Sequence, residues 1–264
     1  MKKILVITGA SDGIGLETAK RFLAADWTVV NLSRRPSDAP GIYNITTDVT
    51  DEDAVKNAFR QIEDQFGRID VLINNAGFGI AGAVEFTSLD DAKKQFDVNF
   101  FGVVSCCKAA VPLLRKTKGR IINISSAASV FAIPFQSFYS ATKASVDVLT
   151  KALANELKPW GVSVCALRLG DVRTSFTAAR KKSFDGDDVY GGVIGRSVAV
   201  MEQDERNGME PSLIAEAVYQ AAIKKKVPVI STVGMKYKVL TALSGLLPNE
   251  AVNDLIAKIY MPKG

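Results

Sequence analysis

The pattern that decides the fold is Ile4-Leu5-Val6-Ile7-Thr8-Gly9-Ala10-Ser11-Asp12-Gly13-Ile14-Gly15, near the start of the chain. The apolar run predicts a short strand that is buried on both faces, and a pattern of helical period begins at Gly15. Between them, Gly9 and Gly13 let the chain turn sharply and bring its backbone close to a pyrophosphate at the amino end of the helix. This order of strand, glycine loop and helix predicts a dinucleotide-binding unit.

Short runs rich in Val and Ile alternate with segments of helical period along the rest of the chain. The predicted strands are residues 4–8, 28–32, 43–47, 71–74, 120–125, 163–168 and 227–230. The predicted helices are residues 15–24, 51–66, 89–115, 138–158 and 211–225. Because helices separate most of the strands, the strands can run parallel. The sequence therefore predicts an α/β fold, namely a Rossmann-type, doubly wound, seven-stranded parallel sheet with helices on both faces.

No repeat, low-complexity tract or linker divides the sequence, so we expect one Rossmann-fold domain over residues 1–264. Residues 175–207 combine Gly, Met, Asp and Lys with weak periodicity, which predicts a mobile substrate loop over a site. Residues 235–264 are expected to form a C-terminal helical extension, in which one helical face carries Val252, Leu255, Ile256, Ile259 and Tyr260. We expect that face to pack within the chain or against another subunit, in preference to a membrane surface.

The composition is that of an ordinary globular protein. Apolar residues make up 47% of the 264 positions and charged residues 23%, which is far from the composition of disordered chains. The net charge is +5, with a pI near 9.0. The basic residues are scattered, with one compact triplet at Lys224-Lys225-Lys226, so the preferred interpretation is a solvated surface and no nucleic-acid partner is expected.

The absence of histidine limits the chemistry that a site can use. It excludes metal hydrolase centres built on imidazole and nucleophiles activated by a Ser-His or Cys-His pair. The three cysteines, Cys106, Cys107 and Cys165, have no ligand spacing. We interpret them as small buried side chains in a reducing compartment, with neither a disulfide nor a metal.

The sequence contains no clear targeting segment. The apolar run from Ile4 to Ile7, after Met1-Lys2-Lys3, is too short for a signal peptide. No stretch of about 18 apolar residues is evident that would span a bilayer. We therefore expect a cytoplasmic protein without a membrane span.

The end of the second predicted strand carries the signal for the cofactor. An NAD-preferring site places an acid there to bind the ribose 2′-hydroxyl, whereas this chain has Ser33-Arg34-Arg35 and no carboxylate before Asp38. Guanidinium groups suit a 2′-phosphate because they can donate two parallel hydrogen bonds to it. The sequence predicts NADP(H) rather than NAD(H), although two arginines on a solvent-facing loop would give the same pattern.

Tyr139 and Lys143 form the candidate acid/base pair. Their i, i+4 spacing on a predicted helix puts both side chains on one face, so the phenol and the ammonium can converge. A free phenol has a pKa near ~10, and a nearby positive charge stabilises the phenolate. In a chain without histidine, this pair is the natural candidate for proton transfer.

Three further motifs follow the strands in a fixed order. Asp48-Val49 follows the third predicted strand, Asn74-Asn75-Ala76-Gly77 ends the fourth, and Val98-Asn99-Phe100-Phe101-Gly102 lies in the third predicted helix. Together with the glycine loop and the Tyr139–Lys143 pair, they resemble the short-chain dehydrogenase/reductase family in its compact single-domain branch. The resemblance covers the chain from Lys3 to about Ile230.

The resemblance implies a catalytic set of Asn99, Ser126, Tyr139 and Lys143. In that set, Asn99 would hold a water that links Lys143 to solvent, and Ser126 would hydrogen-bond the substrate oxygen. Ser126 is preferred to the neighbouring Ser125 because the family spacing to the tyrosine fits it.

The resemblance also implies a cofactor-binding set, in which Tyr139 and Lys143 recur. Its other members are Gly9, Ser11, Asp12, Gly13, Ile14, Gly15, Ser33, Arg34, Arg35, Asp48, Val49, Asn75, Ala76, Gly77, Gly170, Val172 and Thr174. Asp48 and Val49 would contact the adenine, and residues 75–77 would pack along the adenosine ribose. Lys143 would bind the nicotinamide ribose. The chain departs from the family where Leu169 replaces a proline before Gly170, but Thr174, expected against the carboxamide, is retained.

A further similarity, to the hydroxysteroid and retinol dehydrogenase-like group, bears on the substrate. It rests on Phe78-Gly79-Ile80-Ala81-Gly82 with Glu85, and on Ile133-Pro134-Phe135. A pocket bounded by Phe131, Ile133, Phe135, Phe138 and Phe176 would accept an apolar substrate. The alternative interpretation is that these aromatic side chains belong to the core.

The sequence thus predicts an NADP(H)-dependent oxidoreductase that interconverts an alcohol and a ketone or aldehyde, with an apolar small molecule as its substrate. A homodimer or homotetramer is expected from the resemblance, with the helices at residues 89–115 and 138–158 as the dimer surface. The main alternative is a non-catalytic NADP(H)-sensing protein of the same fold, which the intact Tyr139 and Lys143 disfavour. A sugar-nucleotide epimerase is disfavoured by the three-residue gap between Gly9 and Gly13.

Overall fold

The computed structural model describes residues 2–262 as a central parallel sheet with helices on both faces. The strands are β1 (Ile4–Thr8), β2 (Thr28–Ser33), β3 (Ile42–Thr46), β4 (Val71–Asn74), β5 (Ile80–Ala81), β6 (Arg120–Ser126), β7 (Ser163–Leu169), β8 (Lys181–Lys182) and β9 (Ile230–Thr232). The sheet has seven strands in the order β3-β2-β1-β4-β6-β7-β9, and every pairing is parallel. The predicted Rossmann-type fold class is therefore confirmed.

The helices alternate with these strands as the sequence predicts. They are α1 (Gly13–Leu23), α2 (Glu52–Phe66), α3 (Leu89–Phe96), α4 (Gly102–Thr117), α5 (Ser137–Leu157), α6 (Phe176–Ala179), α7 (Val193–Arg206), α8 (Pro211–Ile223), α9 (Met235–Ser244) and α10 (Asn249–Tyr260). A π-helical segment, Asp97–Phe101, joins α3 to α4. The helix predicted over residues 89–115 is therefore one helical run whose winding changes in the middle.

Each face of the sheet has its own apolar core, because alternate side chains of a strand point to opposite faces. On one face, Leu5 and Ile7 of β1 pack in a cluster with Phe22 of α1. On the other face, Val6 packs in a cluster that includes Leu114 of α4. Burial on both faces explains why β1 is a continuous apolar run in the sequence.

The last strand of the sheet differs from its prediction. The sequence predicts it at residues 227–230, whereas it lies at Ile230–Thr232. Pro228 has no N–H to contribute to a ladder, and the first bond to the neighbouring strand runs from the Ala166 N–H to the Val229 carbonyl at 2.8 Å. The pairing therefore begins after the proline.

Other boundaries differ by one or two residues. β6 and β7 each extend one residue further than predicted, because Ser126 and Leu169 are paired with each other. α1 begins at Gly13 instead of Gly15, because the Asp12 carboxylate caps the helix and accepts a hydrogen bond from the Gly13 N–H at 2.7 Å.

The region predicted as a substrate loop, residues 175–207, contains regular structure. It holds α6, β8 and α7, and the buried face of α7 carries Ile194, Val198 and Met201. β8 pairs with β5 in a second small sheet that the sequence did not predict. Two residues are too few to show a period-2 pattern, which explains why this pairing is missed. That the region is mobile stays a prediction.

The C-terminal extension forms α9 and α10 and closes over the carboxyl ends of the strands. Ile256 of α10 is buried, and α10 packs against α7, so part of its apolar face is covered within the chain. No residue of α9 is buried. Residues 263 and 264 of the predicted extension lie outside the described residues.

One helical run, Leu89–Thr117, is long and apolar enough to cross a membrane by length and composition, contrary to the expectation that no stretch would be. Of its most apolar window, 44% is buried inside the fold. Cys106, Cys107 and Leu114 are among its buried residues, so this run is a core helix of the domain. Cys165 is buried as well, so the predicted burial of the three cysteines is confirmed. The Cys107 sulfur accepts a hydrogen bond from Asn74 Nδ2 at 3.3 Å.

Candidate active site

A cavity of about 500 Å³ lies at the carboxyl ends of the sheet strands. This edge of an open parallel sheet is where ligands bind, because the strand-to-helix loops converge there. The cavity is lined by every predicted cofactor-binding residue and by three of the four predicted catalytic residues, Ser126, Tyr139 and Lys143. Asn99 is the exception. The fold therefore brings residues from distant parts of the sequence to one cavity.

The glycine loop forms one end of the cavity. Gly9 and Gly13 have φ angles of +71° and +55°, which side chains rarely tolerate. A Cβ atom on Gly15 would lie 2.6 Å from the Asn75 side-chain nitrogen, so only glycine fits there. The same Asn75 Nδ2 donates to the Thr8 and Gly9 carbonyls, both at 3.0 Å. The loop is thus fixed from the end of β4, with the amino end of α1 facing the cavity.

Arg34 and Arg35 lie at the rim of the cavity beyond the end of β2. Both side chains are exposed, while Ser33 is half-buried. The Ser33 hydroxyl donates to the Arg35 carbonyl and accepts a hydrogen bond from Asn31 Nδ2 at 2.8 Å. Two guanidinium groups are therefore available at the position where an adenosine ribose carries its 2′ substituent.

The carboxyl ends of β3 and β4 form the side of the cavity where the resemblance predicts the adenosine. The Asp48 carboxylate accepts hydrogen bonds from the Thr50 N–H at 3.0 Å and the Thr50 hydroxyl at 2.8 Å. Val49 is buried against Gly102. Ala76 is held by its N–H, which donates to the Thr8 hydroxyl at 3.0 Å.

Tyr139, Lys143 and Ser126 meet at the centre of the cavity. Lys143 Nζ lies 5.7 Å from the centre of the Tyr139 ring and donates to the Ile124 carbonyl at 2.8 Å. Ser125 and Ser126 both line the cavity. The Ser125 hydroxyl is buried and donates to the Lys143 carbonyl at 3.5 Å, whereas the Ser126 hydroxyl lies beside the Tyr139 phenol. The geometry agrees with the preference for Ser126, because β6 alternates its side chains and presents Ser126 to the tyrosine.

Burial sets the proton affinities of this pair. It raises the pKa of Tyr139 to about 12, a rise that the neighbouring Ser126 hydroxyl partly opposes. It lowers the pKa of Lys143 to about 8, against the opposing charge of Asp147. Loss of hydration of the phenolate is the largest cause, so the net shift runs opposite to the lowering that a nearby ammonium alone would give. That Lys143 stabilises the phenolate stays a prediction. At neutral pH Tyr139 is a protonated phenol, which suits a proton donor.

Asn99 holds the backbone near the pair. Its Nδ2 donates to the Phe78 carbonyl at 2.9 Å and to the Thr142 hydroxyl at 3.3 Å, and its Oδ1 accepts from the Phe78 N–H at 3.0 Å. Both ends of the amide are therefore occupied by protein groups. The residue lies in the π-helical segment, a kind of distortion that is frequent at functional sites. Its predicted role in holding a water stays a prediction.

The end of β7 forms the side of the cavity where the resemblance predicts the nicotinamide. Thr174 lies beside the glycine loop, with its Cβ 3.6 Å from the position that a Cβ of Gly13 would occupy. A Cβ on Gly170 would overlap the ring of Tyr237 from α9, so glycine is required there. Leu169, at the position where the resemblance leads us to expect proline, extends β7 by pairing with Ser126.

The predicted aromatic pocket is correct in part. Phe131, Ile133 and Phe176 line the cavity, and the Phe176 ring lies 5.8 Å from the Tyr139 ring. Phe135 and Phe138 do not line it. Phe135 has a positive φ of 58° and packs in a separate cluster near Tyr190, so for this residue the core interpretation was the right one.

The sequence missed the residues that form the far wall of the cavity. They come from α7, α9, α10, the turn between α9 and α10, and the turn after β7, and include Asp171, Asp204, Glu205, Tyr237, Leu240, Leu243, Leu247, Leu255 and Tyr260. The helical spacing in residues 252–260 indicates that this face is buried, but a spacing pattern names no partner. The tertiary structure alone places this face over the site.

The chain is similar to known proteins over nearly its whole length. The family model for short chain dehydrogenases matches residues 3–184. A 3-ketodihydrosphingosine reductase from Bacteroides thetaiotaomicron is 41% identical over 263 residues, which covers 98% of each chain. A probable short-chain type dehydrogenase/reductase, VdlC, from Helicobacter pylori is 31% identical and covers 97% of each chain.

Solved structures give the same result. A short-chain dehydrogenase from Streptomyces avermitilis has a TM-score of 0.83 and 28% identity, covering 98% of this chain and 96% of that one. ElxO, solved with NADP bound, has a TM-score of 0.75 and 28% identity, covering 90% of this chain and 99% of that one. With the family match over more than half of its length, the chain belongs to the short chain dehydrogenase family of oxidoreductases.

Proposed function

We propose that this protein is an NADPH-dependent reductase of ketones that carry a long apolar chain. The observation that carries the proposal is the meeting of Ser126, Tyr139 and Lys143 in one cavity with the glycine loop. A binding protein that only senses NADP(H) has no need for a buried phenol beside an ammonium. This pair therefore favours catalysis over the alternative of a nucleotide sensor.

The residues divide the chemistry of reduction between them. Bound NADPH would supply hydride to the carbonyl carbon, and its phosphates would lie on the glycine loop. Ser126 and Tyr139 would both hydrogen-bond the carbonyl oxygen, which orients the ketone. Tyr139 then donates its phenol proton to that oxygen, and the Lys143 ammonium stabilises the phenolate that remains. A phenol pKa raised to about 12 keeps the proton on Tyr139 until the substrate accepts it.

The preference for NADP(H) rests on Arg34 and Arg35 at the rim. ElxO supports it, since that structure has NADP bound. Another structural neighbour, a 3-ketoacyl-(acyl-carrier-protein) reductase from Brucella melitensis, is complexed with NADH. The family therefore uses both nucleotides, and the local charges must decide between them. Two guanidinium groups stabilise a 2′-phosphate by charge-assisted hydrogen bonds.

The apolar chain of the substrate is inferred from the far wall of the cavity. The apolar part of this wall consists of Leu240, Leu243, Leu247 and Leu255, and no residue of α9 is buried in the core. An apolar wall next to the reacting centre favours a substrate that buries hydrocarbon there. The 41% identical relative is named for a reaction on 3-ketodihydrosphingosine, a long-chain ketone.

The direct test is the Tyr139→Phe variant. Phenylalanine keeps the ring and removes the proton, so we expect NADPH oxidation with a long-chain ketone to fall at least about 100-fold. NADPH binding, measured by fluorescence, should remain within about threefold of wild type, since the ring packing is kept. A Tyr139→Phe protein with wild-type turnover would refute the assignment.

The cofactor preference has its own test. The double variant Arg34→Ala/Arg35→Ala should bind NADPH about 10- to 100-fold more weakly and NADH equally well, because each lost charge-assisted hydrogen bond weakens only the phosphate contact. Arg60→Ala, which removes a guanidinium from the surface of α2, is the matched control and should leave both affinities unchanged. Tighter binding of NADH than NADPH by the wild type would overturn the preference.

A further inference from the structure

The cavity contains carboxylates that the reduction itself does not use. Asp171, Asp204 and Glu205 all line it. Glu205 forms an ion pair with the buried Arg180 and accepts a hydrogen bond from the Thr177 hydroxyl at 2.6 Å. Its charge is therefore compensated within the protein. The bonding of Asp171 is different.

Asp171 follows Gly170 at the end of β7, and its carboxylate accepts a hydrogen bond from the Tyr237 hydroxyl of α9. Within residues 2–262 it forms no ion pair. Lys236 lines the same cavity, and its exposed ammonium lies 5.4 Å from the centre of the Tyr237 ring. Its charge partly opposes the rise in the pKa of Asp171, but it forms no ion pair with that carboxylate. Burial raises the pKa of Asp171, which shows that the carboxylate has lost hydration. One phenol hydrogen bond replaces little of it, whereas a cation would replace more.

Asp171 lies near the reacting end of the cavity. It follows Leu169, which is paired with Ser126, by two residues, and both Asp171 and Tyr139 line the cavity. Its charge contributes to the raised pKa of Tyr139. Tyr237 and Tyr260 line the cavity on the same side, and the charge of Asp171 raises the pKa of both. A carboxylate flanked by aromatic rings is a suitable environment for an ammonium group, because both the charge and the ring faces attract a cation.

We infer that Asp171 binds a protonated amine of the substrate, close to the carbonyl that Tyr139 protonates. The inference rests on the proposed function and narrows its substrate class to long-chain amino ketones. The hydrocarbon chain lies along the leucines of α9, the carbonyl at Tyr139 and Ser126, and the amine between Asp171 and the rings of Tyr237 and Tyr260. No bond to the amine is made or broken, so Asp171 is a specificity-determining residue.

The test compares three ketones of equal chain length with NADPH. They are 3-ketodihydrosphingosine, which has an amine beside the ketone, its N-acetyl derivative, and octadecan-3-one. The wild type should prefer the free amine over both neutral ketones in kcat/KM. In Asp171→Asn that ratio should fall about 10- to 100-fold, mainly through KM, because one charge-assisted hydrogen bond is lost. Asparagine still accepts from the Tyr237 hydroxyl, so folding should be preserved, which the melting temperature checks.

The matched control is Glu210→Gln, which removes an acid that pairs with Arg173 outside the cavity and should leave the ratio unchanged. Equal use of free amine and neutral ketones by the wild type would overturn the inference and leave the proposed function standing. Failure to reduce any ketone would overturn the proposed function. In that case, the binding of dihydrosphingosine to the Tyr139→Phe protein with NADP⁺ tests the role of Asp171. The inference requires that adding Asp171→Asn weakens this binding, and unchanged binding would overturn it.

Discussion

At neutral pH the Tyr139 phenol keeps its proton and most of the Lys143 side chains keep their charge, because burial moves the two pKa values to about 12 and about 8. The i, i+4 spacing of Tyr139 and Lys143 on α5 brings the two groups together, and their surroundings then decide their protonation. A protonated phenol next to a charged ammonium is the state that ketone reduction needs.

The first prediction concerns the pH dependence of reduction. The folded-state pKa of Lys143 is lowered to about 8, so the ammonium is charged below that pH and neutral above it. Tyr139, with a pKa of about 12, stays protonated over the pH range in which Lys143 titrates. We therefore expect kcat/KM for ketone reduction to be constant from pH 6 to about 7.5 and to fall as the pH rises through about 8. NADPH affinity measured over the same range separates proton transfer from cofactor loss, and a rate that rises above pH 8 would contradict the prediction.

At the scale of elements, the segment of residues 175–207 covers Tyr139 and is fixed by one buried ion pair. Arg180 is only 3% exposed and pairs with Glu205 of α7, and the Thr177 hydroxyl donates to the same carboxylate at 2.6 Å. Phe176, at the start of α6, rests against the Tyr139 ring. The ion pair therefore connects the stability of the segment to the position of a residue over the catalytic phenol.

The second prediction tests this connection. Arg180→Ala leaves the Glu205 carboxylate without its cation, so the segment should lose about 3 kcal/mol of local stability. We expect faster hydrogen exchange in α6 and α7, with the protection of β1 and β4 unchanged, and a lower kcat/KM. Arg206→Ala is the matched control, since that side chain forms an exposed pair with Glu202 and should change stability by less than about 0.5 kcal/mol. Equal exchange in the two variants would show that the buried pair does not hold the segment.

At the scale of the whole molecule, the C-terminal helices convert a nucleotide-binding sheet into a cavity with an apolar end. α9 and α10 are remote in sequence from the glycine loop, yet their side chains line the same space. They are held mainly by Ile256, by contacts with α7 and by the Tyr237 ring over Gly170. Substrate choice is therefore expected to depend on a part of the chain that leaves the nucleotide site unchanged.

The third prediction follows from that arrangement. Leu243→Glu and Leu247→Glu place a charge on the apolar wall, so KM for a long-chain ketone should rise about tenfold, while a short ketone is reduced as before. Leu246→Glu is the matched control, because Leu246 is 82% exposed and does not line the cavity. Steady-state kinetics with ketones of increasing length measures the effect. The same KM change in all three variants would show that the wall does not bind the chain.

The fourth prediction concerns assembly. Phe101 and Val148, on the helical run Leu89–Thr117 and on α5, are more than half exposed, at 54% and 66%. Exposed apolar side chains on two long neighbouring helices favour a subunit interface. We expect a homodimer in size exclusion with light scattering, and dissociation after Val148→Asp. A monomeric wild type at micromolar concentration would rule out this interface.

The sequence by itself determined the parts that depend on short windows. Apolar runs and helical periods located the strands of the central sheet and five of its helices, and the glycine loop and the Tyr139–Lys143 spacing each depend on residues within one turn or one loop. Such patterns are reliable because backbone conformation and burial of one face are local properties. Strand β9 was misplaced by the same logic, since an apolar run does not show where pairing begins.

The tertiary structure alone decided which distant residues meet. Tyr237 hydrogen-bonds Asp171 across 66 positions, and Arg180 pairs with Glu205 from another element. The direction of the Tyr139 pKa shift belongs here too, because it depends on how many groups surround the phenol and how much water they exclude. Contacts of this kind arise from the packing of one element on another. The hydration of the Tyr139 phenol likewise depends on the whole set of elements that surround the cavity. For that reason the sequence predicted the reaction class, whereas the substrate-facing wall became visible only in the folded chain.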